Sequence, residues 1–484
     1  MIAETLKVHD EERQGEAFIG FGNVSASKKF YIESYGCAMN FADSEVIASI
    51  LSTNGMSSTT EPANADLIFI NTCSIREKAE LTIRKRLSEF RQFKKVRPGL
   101  LVGVLGCMAE RLKAQFIEEE KLVDIVVGPD AYRSLPGLIE EAETGQKGIN
   151  VLLSRDETYH DISPIRLNTN GVTAYVSIMR GCNNMCTFCV VPFTRGRERS
   201  RDPHSIVKEC KDLFEEGFRE VTLLGQNVDS YYWHKEEENE HTRIGHVTHS
   251  QVINNVVNFA GLLALIAEIS PLLRVRFSTS HPKDITDEVL HTIARYSNIC
   301  KYIHLPVQSG SSRILQMMNR TYTREWYLSK VQRIRELIPG CGLSTDVISG
   351  FCTETEEDHD LTMSLMKECR YDLAYMYFYS ERPGTLAARR FEDDVPETVK
   401  KRRLQEIVAL HRKQSLVSMQ SMLGKTVSVL IEGDSKKSDQ HWAGRSDDNK
   451  MVVFPKTNDL IHKGMYMDVL IEDCTAGTLL GTAQ

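Results

Sequence analysis

The sequence lacks a long apolar run. None of its 484 residues belongs to a segment approaching the roughly 20 apolar residues that a membrane helix needs. The first eighteen residues, MIAETLKVHDEERQGEAF, are polar and acidic and contain no apolar core of a signal peptide. With 41% hydrophobic and 26% charged residues the composition is that of an ordinary globular protein. We therefore expect a cytoplasmic protein without a membrane partner.

The sequence also lacks an excess of positive charge. Its net charge of −7 does not by itself suggest nucleic acid, but the basic residues are clustered. Residues 84–97 contain seven basic residues and one acid, residues 400–425 repeat that count, and residues 180–201 contain five arginines. A single patch of this kind is usually a solvated helix face. Three patches on an acidic protein predict binding to a polyanion.

A complete set of four metal-binding cysteines is missing as well. A C-x-x-x-C-x-x-C run follows a strand-like segment at 172–179 and consists of Cys182, Cys186 and Cys189. The next cysteine, Cys210, lies on the apolar side of a helical pattern. Three thiolates on one loop are typical of a zinc or iron–sulfur site, and three protein ligands leave one position open for catalysis. Twelve cysteines without a secretion signal favour a reducing compartment.

The first domain, predicted at 28–144, alternates strands with helices. Strands are predicted at 29–34, 66–71, 100–105 and 122–127, and helices at 43–51, 75–93 and 108–117. This order predicts a parallel α/β sheet with right-handed crossovers. Residues 1–27 are expected to form a flexible lead-in, and residues 145–166 a linker.

Three further cysteines occupy equivalent places in this domain. Cys37, Cys73 and Cys107 each follow the end of a predicted strand, and Gly36 and Gly106 precede two of them. The carboxyl ends of parallel strands share one edge of a sheet, where ligands bind. Each cysteine alone could simply fill core space. Three at the same topological position favour a second three-thiolate site.

The central domain, predicted at 167–398, contains six βα units. Strands are predicted at 172–179, 220–224, 274–279, 302–307, 342–348 and 373–379, which indicates a partial (βα)6 TIM-like barrel. Polar loop residues follow these strands where such barrels carry their sites: Gly225, Gln226, Asn227, Ser280, Gln308 and Asp346. Each alone could serve turn chemistry or fill a polar core position. The polar stretch 234–258, with four histidines, matches no metal-ligand spacing and is expected to be a flexible insertion.

The C-terminal part is predicted as a connecting helix at 399–417 and a β-rich domain at 418–484. Strands at 426–431, 451–454 and 465–471, separated by glycine and aspartate turns, indicate a small barrel of OB type. Such barrels are common platforms for oligonucleotides. RNA binding by this domain is therefore a hypothesis that also depends on the basic helix beside it.

Together these residues resemble the radical S-adenosylmethionine (SAM) methylthiotransferase family over residues 28–484. The cysteine run is similar to the cluster motif of the radical SAM superfamily. YGCAMN, NTCSIREKAE and LGCMAER resemble the family's second-cluster domain, and GRSDDNKMVVF is similar to the RNA-binding TRAM module. NTCSIREKAE and GCNNMCTFCVVPFTRGRERSR are most similar to the isopentenyl-adenosine (MiaB) type. Ala38, where glutamine is expected, departs from the family's pattern.

The resemblance implies two 4Fe–4S clusters and SAM as cofactors. Cys182, Cys186 and Cys189 would hold the cluster that binds and cleaves SAM, and Cys37, Cys73 and Cys107 the auxiliary cluster. Gly225, Gln226, Asn227, Ser280, Gln308 and Asp346 are the candidates for the SAM pocket, by position only. The implied reaction adds a methylthio group to C2 of N6-isopentenyladenosine beside the tRNA anticodon. One SAM would supply the methyl group and another the radical. The expected partners are the tRNA anticodon stem-loop and a reductase that donates electrons, and a monomer is expected.

Other functions stay open at this point. The chain could methylthiolate threonylcarbamoyl-adenosine in tRNA or an aspartate of a ribosomal protein. It could also be a metal-stapled RNA-binding protein without catalysis, although that leaves the six-unit barrel without a purpose.

Overall fold

The computed structural model describes residues 14–15, 28–73, 77–166, 170–234 and 256–484. The chain divides into two compact units. The first comprises Met1–Thr169, Arg180–Arg199 and Arg382–Thr385, and the second Asn170–Met179, Ser200–Glu381 and Leu386–Gln484. The loop with the C-x-x-x-C-x-x-C run therefore groups with the N-terminal α/β domain. Apart from Gln14 and Gly15, the predicted lead-in lies outside the described residues. No helix in the described ranges is long and apolar enough to span a membrane.

The first unit is built on a six-stranded parallel sheet in the order β2-β1-β3-β4-β5-β6. Its strands are β1 Lys28–Ser34, β2 Met56–Ser58, β3 Leu67–Thr72, β4 Leu101–Gly106, β5 Ile125–Val127 and β6 Gly148–Asn150. Its helices are α1 Ala38–Thr53, α2 Glu77–Val96, α3 Cys107–Leu112, α4 Ala114–Glu119 and α5 Leu135–Glu143. The prediction of a parallel α/β sheet is confirmed.

Both faces of this sheet are covered, which explains its apolar strands. Phe30, Ile32 and Phe69 pack with residues of α1 and α5 on one face. Ile68 and Ile70 pack with residues of α2 on the other. All six residues of β3 are buried, as expected of a central strand.

Two segments of the first unit differ from expectation. Residues 145–166, expected to be a linker, contribute the edge strand β6, and Tyr159 is 3% exposed within the core. Strand β6 has only three residues, too few for a clear pattern. The helix expected at 108–117 divides into α3 and α4 because Lys113 has φ 52° and interrupts the helical path.

The middle of the chain continues with ten strands and nine helices among the described residues. The strands are β7 Thr173–Ser177, β8 Met179–Arg180, β9 Arg199–Ser200, β10 Glu220–Leu224, β11 Tyr232–His234, β12 Val256–Asn258, β13 Arg274–Phe277, β14 Tyr302–His304, β15 Gly342–Ser349 and β16 Leu373–Phe378. The helices are α6 Val191–Thr194, α7 Pro203–Glu215, α8 Phe259–Ala267, α9 Asp287–Arg295, α10 Ser312–Met317, α11 Arg324–Leu337, α12 Glu356–Cys369, α13 Leu386–Arg390 and α14 Glu397–Gln420.

Six parallel strands form the partial barrel of the second unit. Strands β7, β10 and β13 make one sheet and β14, β15 and β16 another. A parallel bridge between Val275 and Ile299 joins the two sheets, and the amide of Cys300 donates to the carbonyl of Val275 at 2.9 Å. The strands therefore follow one another in chain order, and the predicted (βα)6 barrel is confirmed. Cys210 is 0% exposed in the core that the helices share with this barrel.

The stretch expected to be an insertion is bounded by paired strands. Tyr232 pairs with Asn258 and His234 with Val256, so β11 and β12 form an antiparallel ribbon. Residues 235–255 lie outside the described residues.

The C-terminal segment is a closed barrel in the order β17-β18-β19-β21-β20. Its strands are β17 Thr426–Ser435, β18 Ser438–Ser446, β19 Met451–Pro455, β20 Tyr466–Cys474 and β21 Leu479–Ala483. The expected small β-barrel is confirmed, but β18 and β21 were missed. Gly444, expected at a turn, lies inside β18, where a Cβ atom would collide with the carbonyl of Leu430.

Candidate active site

The three strand-end cysteines leave the first sheet side by side. Cys73 directly follows β3 and Cys107 directly follows β4, while Cys37 precedes α1. The register pairs Thr72 with Gly106, which places the segments after these strands next to each other. A Cβ atom on Gly36, whose φ is +134°, would lie 2.5 Å from the Cβ atom of Cys73. Glycine is therefore needed for this close approach.

An arginine from the other cysteine loop contacts this set. The Nε atom of Arg195 donates to the Sγ atom of Cys107 at 3.2 Å. Burial raises the pKa of Cys107, and the adjoining guanidinium of Arg195 opposes that shift. The Sγ atom of Cys37 lies 3.4 Å from the Oδ1 atom of Asn40. A cation beside a buried sulfur stabilises its thiolate form, which is the form that binds metals.

The second set, consisting of Cys182, Cys186 and Cys189, lies in an irregular loop before α6. The amide of Cys182 donates to the carbonyl of Gly196 at 3.2 Å, and the amide of Cys189 donates to the carbonyl of Cys186 at 3.0 Å. Gly181 has φ +77°, and a Cβ atom there would collide with the carbonyl of Arg197. The loop is thus closed on itself by backbone contacts at both ends.

The arginines around this loop have a structural role that the sequence does not show. Arg180 and Arg195 donate to opposite oxygens of the Asp43 carboxylate, both at 2.8 Å. Arg199 binds both oxygens of Asp130 at 2.9 Å. The side chains of these three arginines are at most 5% exposed. These three arginines therefore neutralise buried carboxylates and do not contribute to the positive patch predicted at residues 180–201.

The donor chemistry of both sets fits iron–sulfur clusters. Each set contains two buried cysteines and one partly exposed cysteine. Within the described residues, no three His, Cys, Asp or Glu side chains are arranged as a metal site. Soft thiolates supplied in threes are nevertheless what a cluster with one open iron requires. The role of these six residues as ligands stays a prediction.

The predicted SAM-pocket residues lie toward the carboxyl ends of the barrel strands. They differ in whether their polar side-chain atoms are already hydrogen-bonded to other residues. Asn227 is 2% exposed, and its side chain accepts from the amide of His281 and donates to Asp284. It therefore joins two loops. Gly225 is tightly packed, since a Cβ atom there would lie 2.5 Å from Met179 Cγ. Gln226 Oε1 is buried and has no hydrogen-bond partner among the described residues.

Two more polar groups lie nearby, Asp229 in the loop after β10 and Ser280 in the loop after β13. Ser280 is 3% exposed, and its hydroxyl has no hydrogen bond of standard geometry in the part of the chain that the structure describes. Both carboxylate oxygens of Asp229 are likewise buried without a hydrogen bond of standard geometry among the described residues, but the Ser280 hydroxyl and the His281 amide interact with this carboxylate. Burial raises the pKa of Asp229 to about 7. Sequence reasoning missed Asp229; its position two residues after Asn227 was the available signal.

Gln308, in the segment after β14, pairs with β15 near Asp346. The amide of Gln308, at φ +74°, donates to the carbonyl of Asp346, and the amide of Ile348 donates to the carbonyl of Gln308. The Asp346 side chain lies 3.6 Å from His304 Nε2.

The two basic patches are partly neutralised. On α2, Arg84, Arg86 and Lys94 pair with acids, which leaves Lys85, Arg91 and Lys95 exposed. Around α14, Lys400 and Arg403 are buried against Asp393 and Glu354. The two positive surfaces are therefore narrower than expected, because acids pair with seven of the fourteen basic residues in the two patches.

The segment GRSDDNK packs against the (βα)6 barrel. Ser446 and Lys450 are 3% and 7% exposed. Arg276, on β13, donates to the carbonyls of Ser446 and Asp447 at 2.7 and 3.3 Å, and Arg274 donates to the carbonyl of Arg445 at 2.7 Å. This turn docks the C-terminal barrel against the amino ends of the (βα)6 strands.

Comparison with known proteins agrees with this domain order. Residues 29–128 match Uncharacterized protein family UPF0004, residues 176–366 the Radical SAM superfamily, and residues 420–483 the TRAM domain. The tRNA-2-methylthio-N(6)-dimethylallyladenosine synthase of Amoebophilus asiaticus is 62% identical over 94% of this chain and 92% of its own length. The chain belongs to this synthase family. A synthase of the same name from Christiangramia forsetii is 57% identical over 98% of both chains.

Family membership makes the chain a radical SAM enzyme, with SAM and iron–sulfur clusters as its cofactors. The solved structure of the radical SAM methyltransferase TsrM from Kitasatospora setae, with cobalamin and a [4Fe-4S] cluster bound, supports the fold. It aligns with a TM-score of 0.54 at 14% identity, covering 75% of this chain and 77% of that one. The non-enzymatic alternative is thereby excluded.

Proposed function

We propose that this enzyme methylthiolates C2 of N6-isopentenyladenosine next to the tRNA anticodon. The supporting observation is that a relative named for this product is 62% identical over 94% of the chain. Cys182, Cys186 and Cys189 would hold the cluster that binds SAM, and Cys37, Cys73 and Cys107 would hold the auxiliary cluster. When bound, these cofactors supply the electron, the 5′-deoxyadenosyl radical, and the methyl and sulfur that are transferred.

The chain itself contributes orientation and charge. Gln226, Asp229 and Ser280 present buried polar atoms that lack a hydrogen bond of standard geometry among the described residues and would hold polar groups of SAM, while Gly225, Asn227 and Gln308 shape the loops around it. Arg195 would hold the Cys107 sulfur in its thiolate form. A buried site of this kind excludes water from a reactive intermediate, as radical chemistry requires.

The RNA would bind through the C-terminal barrel and through Lys85, Arg91 and Lys95 on α2. Phosphate contacts from lysine and arginine position an RNA, while base recognition needs a loop nucleotide turned out of its stack. A reductase would supply electrons, and the enzyme would act as a cytoplasmic monomer. Replacing all three basic residues with alanine would lower the salt dependence of RNA binding, by roughly one unit of log–log slope per phosphate contact.

Mass spectrometry of tRNA nucleosides from a deletion strain tests the substrate. The methylthio-isopentenyl nucleoside is expected to disappear, with isopentenyladenosine accumulating, and to return on complementation. Its persistence would contradict the assignment. Loss of a methylthio-threonylcarbamoyl nucleoside or of a ribosomal-protein modification would instead support one of the other substrates.

A further inference from the structure

The inner face of the (βα)6 barrel carries polar residues where a closed barrel would be filled with aliphatic ones. Side chains alternate along a strand, so neighbouring residues face opposite sides of the barrel wall. On β15, Leu343 and Val347 pack in the core shared with the helices and are at most 1% exposed. Ser344 and Asp346 therefore face the interior. The Asp346 side chain is 31% exposed, so the interior is accessible at this level.

Four of these interior side chains form a polar ladder on β14 and β15. The Tyr302 hydroxyl donates to Ser344 Oγ at 2.7 Å, and Ser344 Oγ lies 2.9 Å from His304 Nδ1. His304 Nε2 lies 3.6 Å from Asp346 Oδ1. Ser344 thus joins Tyr302 to one side of the imidazole ring of His304. The ladder directs the other ring nitrogen, Nε2, toward Asp346.

The Asp346 carboxylate, at the upper end of the ladder, can still accept hydrogen bonds. A separation of 3.6 Å is too long for a hydrogen bond. The Asp346 carboxylate forms none with any residue that the structure describes. The ring of Tyr375 packs edge-on against His304, with centroids 5.5 Å apart and planes at 79°, and so holds the imidazole in place. A carboxylate that faces an accessible interior can accept a hydrogen bond from a ligand.

We propose that Asp346, oriented by His304, recognises the N6–H group of the isopentenylated adenine. Isopentenylation leaves one hydrogen on N6, and a carboxylate is a strong acceptor for it. Enzymes that act on a base turned out of its stack recognise it through hydrogen bonds to the polar atoms at its edge. The inference rests on the proposed function and names the group that binds its substrate. Asp346 was a candidate for the SAM pocket because of its position on the strand. The proposal assigns it to substrate binding instead.

Two stem-loop RNAs that differ at one atom provide the test. One carries isopentenyladenosine, and the other carries the oxygen-linked analogue, which has no N6–H. Binding to the reconstituted enzyme without SAM is measured by fluorescence anisotropy. Turnover is measured with both RNAs competing in one reaction. Wild type should prefer the amine-linked RNA about 10- to 100-fold, the range expected for a hydrogen bond to a charged group.

Variants at Asp346 and His304 test whether the ladder causes the preference for the amine-linked RNA. Asp346→Ala should bind both RNAs with equal affinity, and His304→Gln should show a reduced preference. Asp346→Asn, whose amide oxygen still accepts a hydrogen bond, should retain part of the preference. It also controls for folding if the alanine variant is unstable. Thr222→Val, which changes a half-buried residue of β10 that faces the same interior, should match wild type.

The possible outcomes are distinct. Equal use of both RNAs by wild type would overturn the inference. So would an Asp346→Ala variant that keeps the preference but needs more SAM for half-saturation, because Asp346 would then bind SAM. If wild type produces the methylthio nucleoside on both RNAs without preference, only this inference fails. If it produces none on either RNA, the proposed function fails.

Discussion

The two cysteine sets of the first unit bring three thiols together in opposite ways. Cys182, Cys186 and Cys189 lie within one loop, which is closed by its own backbone contacts at Gly196 and Arg197. Cys37, Cys73 and Cys107 come from three separate βα turns, so the order of the sheet brings them together. The loop set is local in sequence and needs outside support, which Asp43 and Asp130 provide through the arginines. The strand-end set needs only a correctly formed sheet.

Removing one cysteine from each set should produce the largest effect and separate their roles. We expect Cys186→Ala and Cys73→Ala each to lose about four irons per chain, one cluster's worth. Methylthio product should disappear in both. Formation of 5′-deoxyadenosine should persist in Cys73→Ala and be lost in Cys186→Ala. Iron analysis and product chromatography under anaerobic conditions check this. Retention of 5′-deoxyadenosine in both variants would show that the assignment of the two sets is incorrect.

Asp43→Asn should be the most destabilising single change outside the cysteines. It leaves Arg180 and Arg195 buried without their shared carboxylate, and breaking a buried ion pair costs about 3–5 kcal/mol. Urea unfolding of the protein measures the change in the free energy of unfolding. Asp161→Asn is the matched control, because Asp161 is 53% exposed where it pairs with Arg133 and should cost less than about 1 kcal/mol. Similar losses in the two variants would contradict a supporting role for the buried pairs.

Alanine at the glycines beside the two sets should have an intermediate effect. Gly36→Ala would crowd Cys73, and Gly181→Ala would crowd the Arg197 carbonyl. Each should cost about 1–3 kcal/mol from backbone strain and overpacking. Gly55→Ala is the control, because Gly55 has φ +78° but nothing within 4 Å of the new Cβ atom. Urea midpoints should place Gly55→Ala closest to wild type. A reversed order would show that close approach at the cysteines does not matter.

Arg195→Lys should have the smallest effect of these changes. It alters the contact between Arg195, beside the loop set, and Cys107 of the strand-end set. Lysine keeps the charge but loses the fork that donates both to Cys107 and to Asp43. In a Cys186→Ala background, where only the strand-end set binds a cluster, chelators should remove iron roughly tenfold faster. Arg133→Lys, at a site 42% exposed, serves as the control. An unchanged rate would mean that the Arg195 contact does not stabilise the bound cluster.

The parts of the fold with strong local patterns were predictable. Strands β1, β3, β4 and β5 of the first sheet and the six strands of the partial barrel appear close to their predicted positions, because buried strands and amphipathic helices have distinct periodicities. The three-residue strands β2 and β6 were missed, since a segment so short has almost no periodicity, whereas the equally short β5 lies within the apolar run 122–127. Strand β18, with its polar SDQHWAGRS sequence, was hidden by the glycine that close packing against β17 requires.

The candidate site was predictable in part. The cysteines and the polar loops could be named from spacing and from their position after strands. Asp229 was missed because nothing in its local sequence shows that both its oxygens are buried without a hydrogen bond of standard geometry among the described residues. The ladder from Tyr302 to Asp346 was missed for a related reason: it joins alternate residues of two strands whose register is known only once they pair.

By itself the sequence determined the loop cysteine set, the βα rhythm and the small terminal barrel, because each depends on residues close together in the chain. It also placed each strand-end cysteine after its own strand, and the sheet then brings the three together. Tertiary structure alone decided what the charges do. Arg180 and Arg195 find their carboxylate 137 and 152 residues away. The turn after β18 packs against the (βα)6 barrel through Arg276. Burying a charge is so costly that its partner must be present, yet nothing in the local sequence indicates which distant segment supplies it.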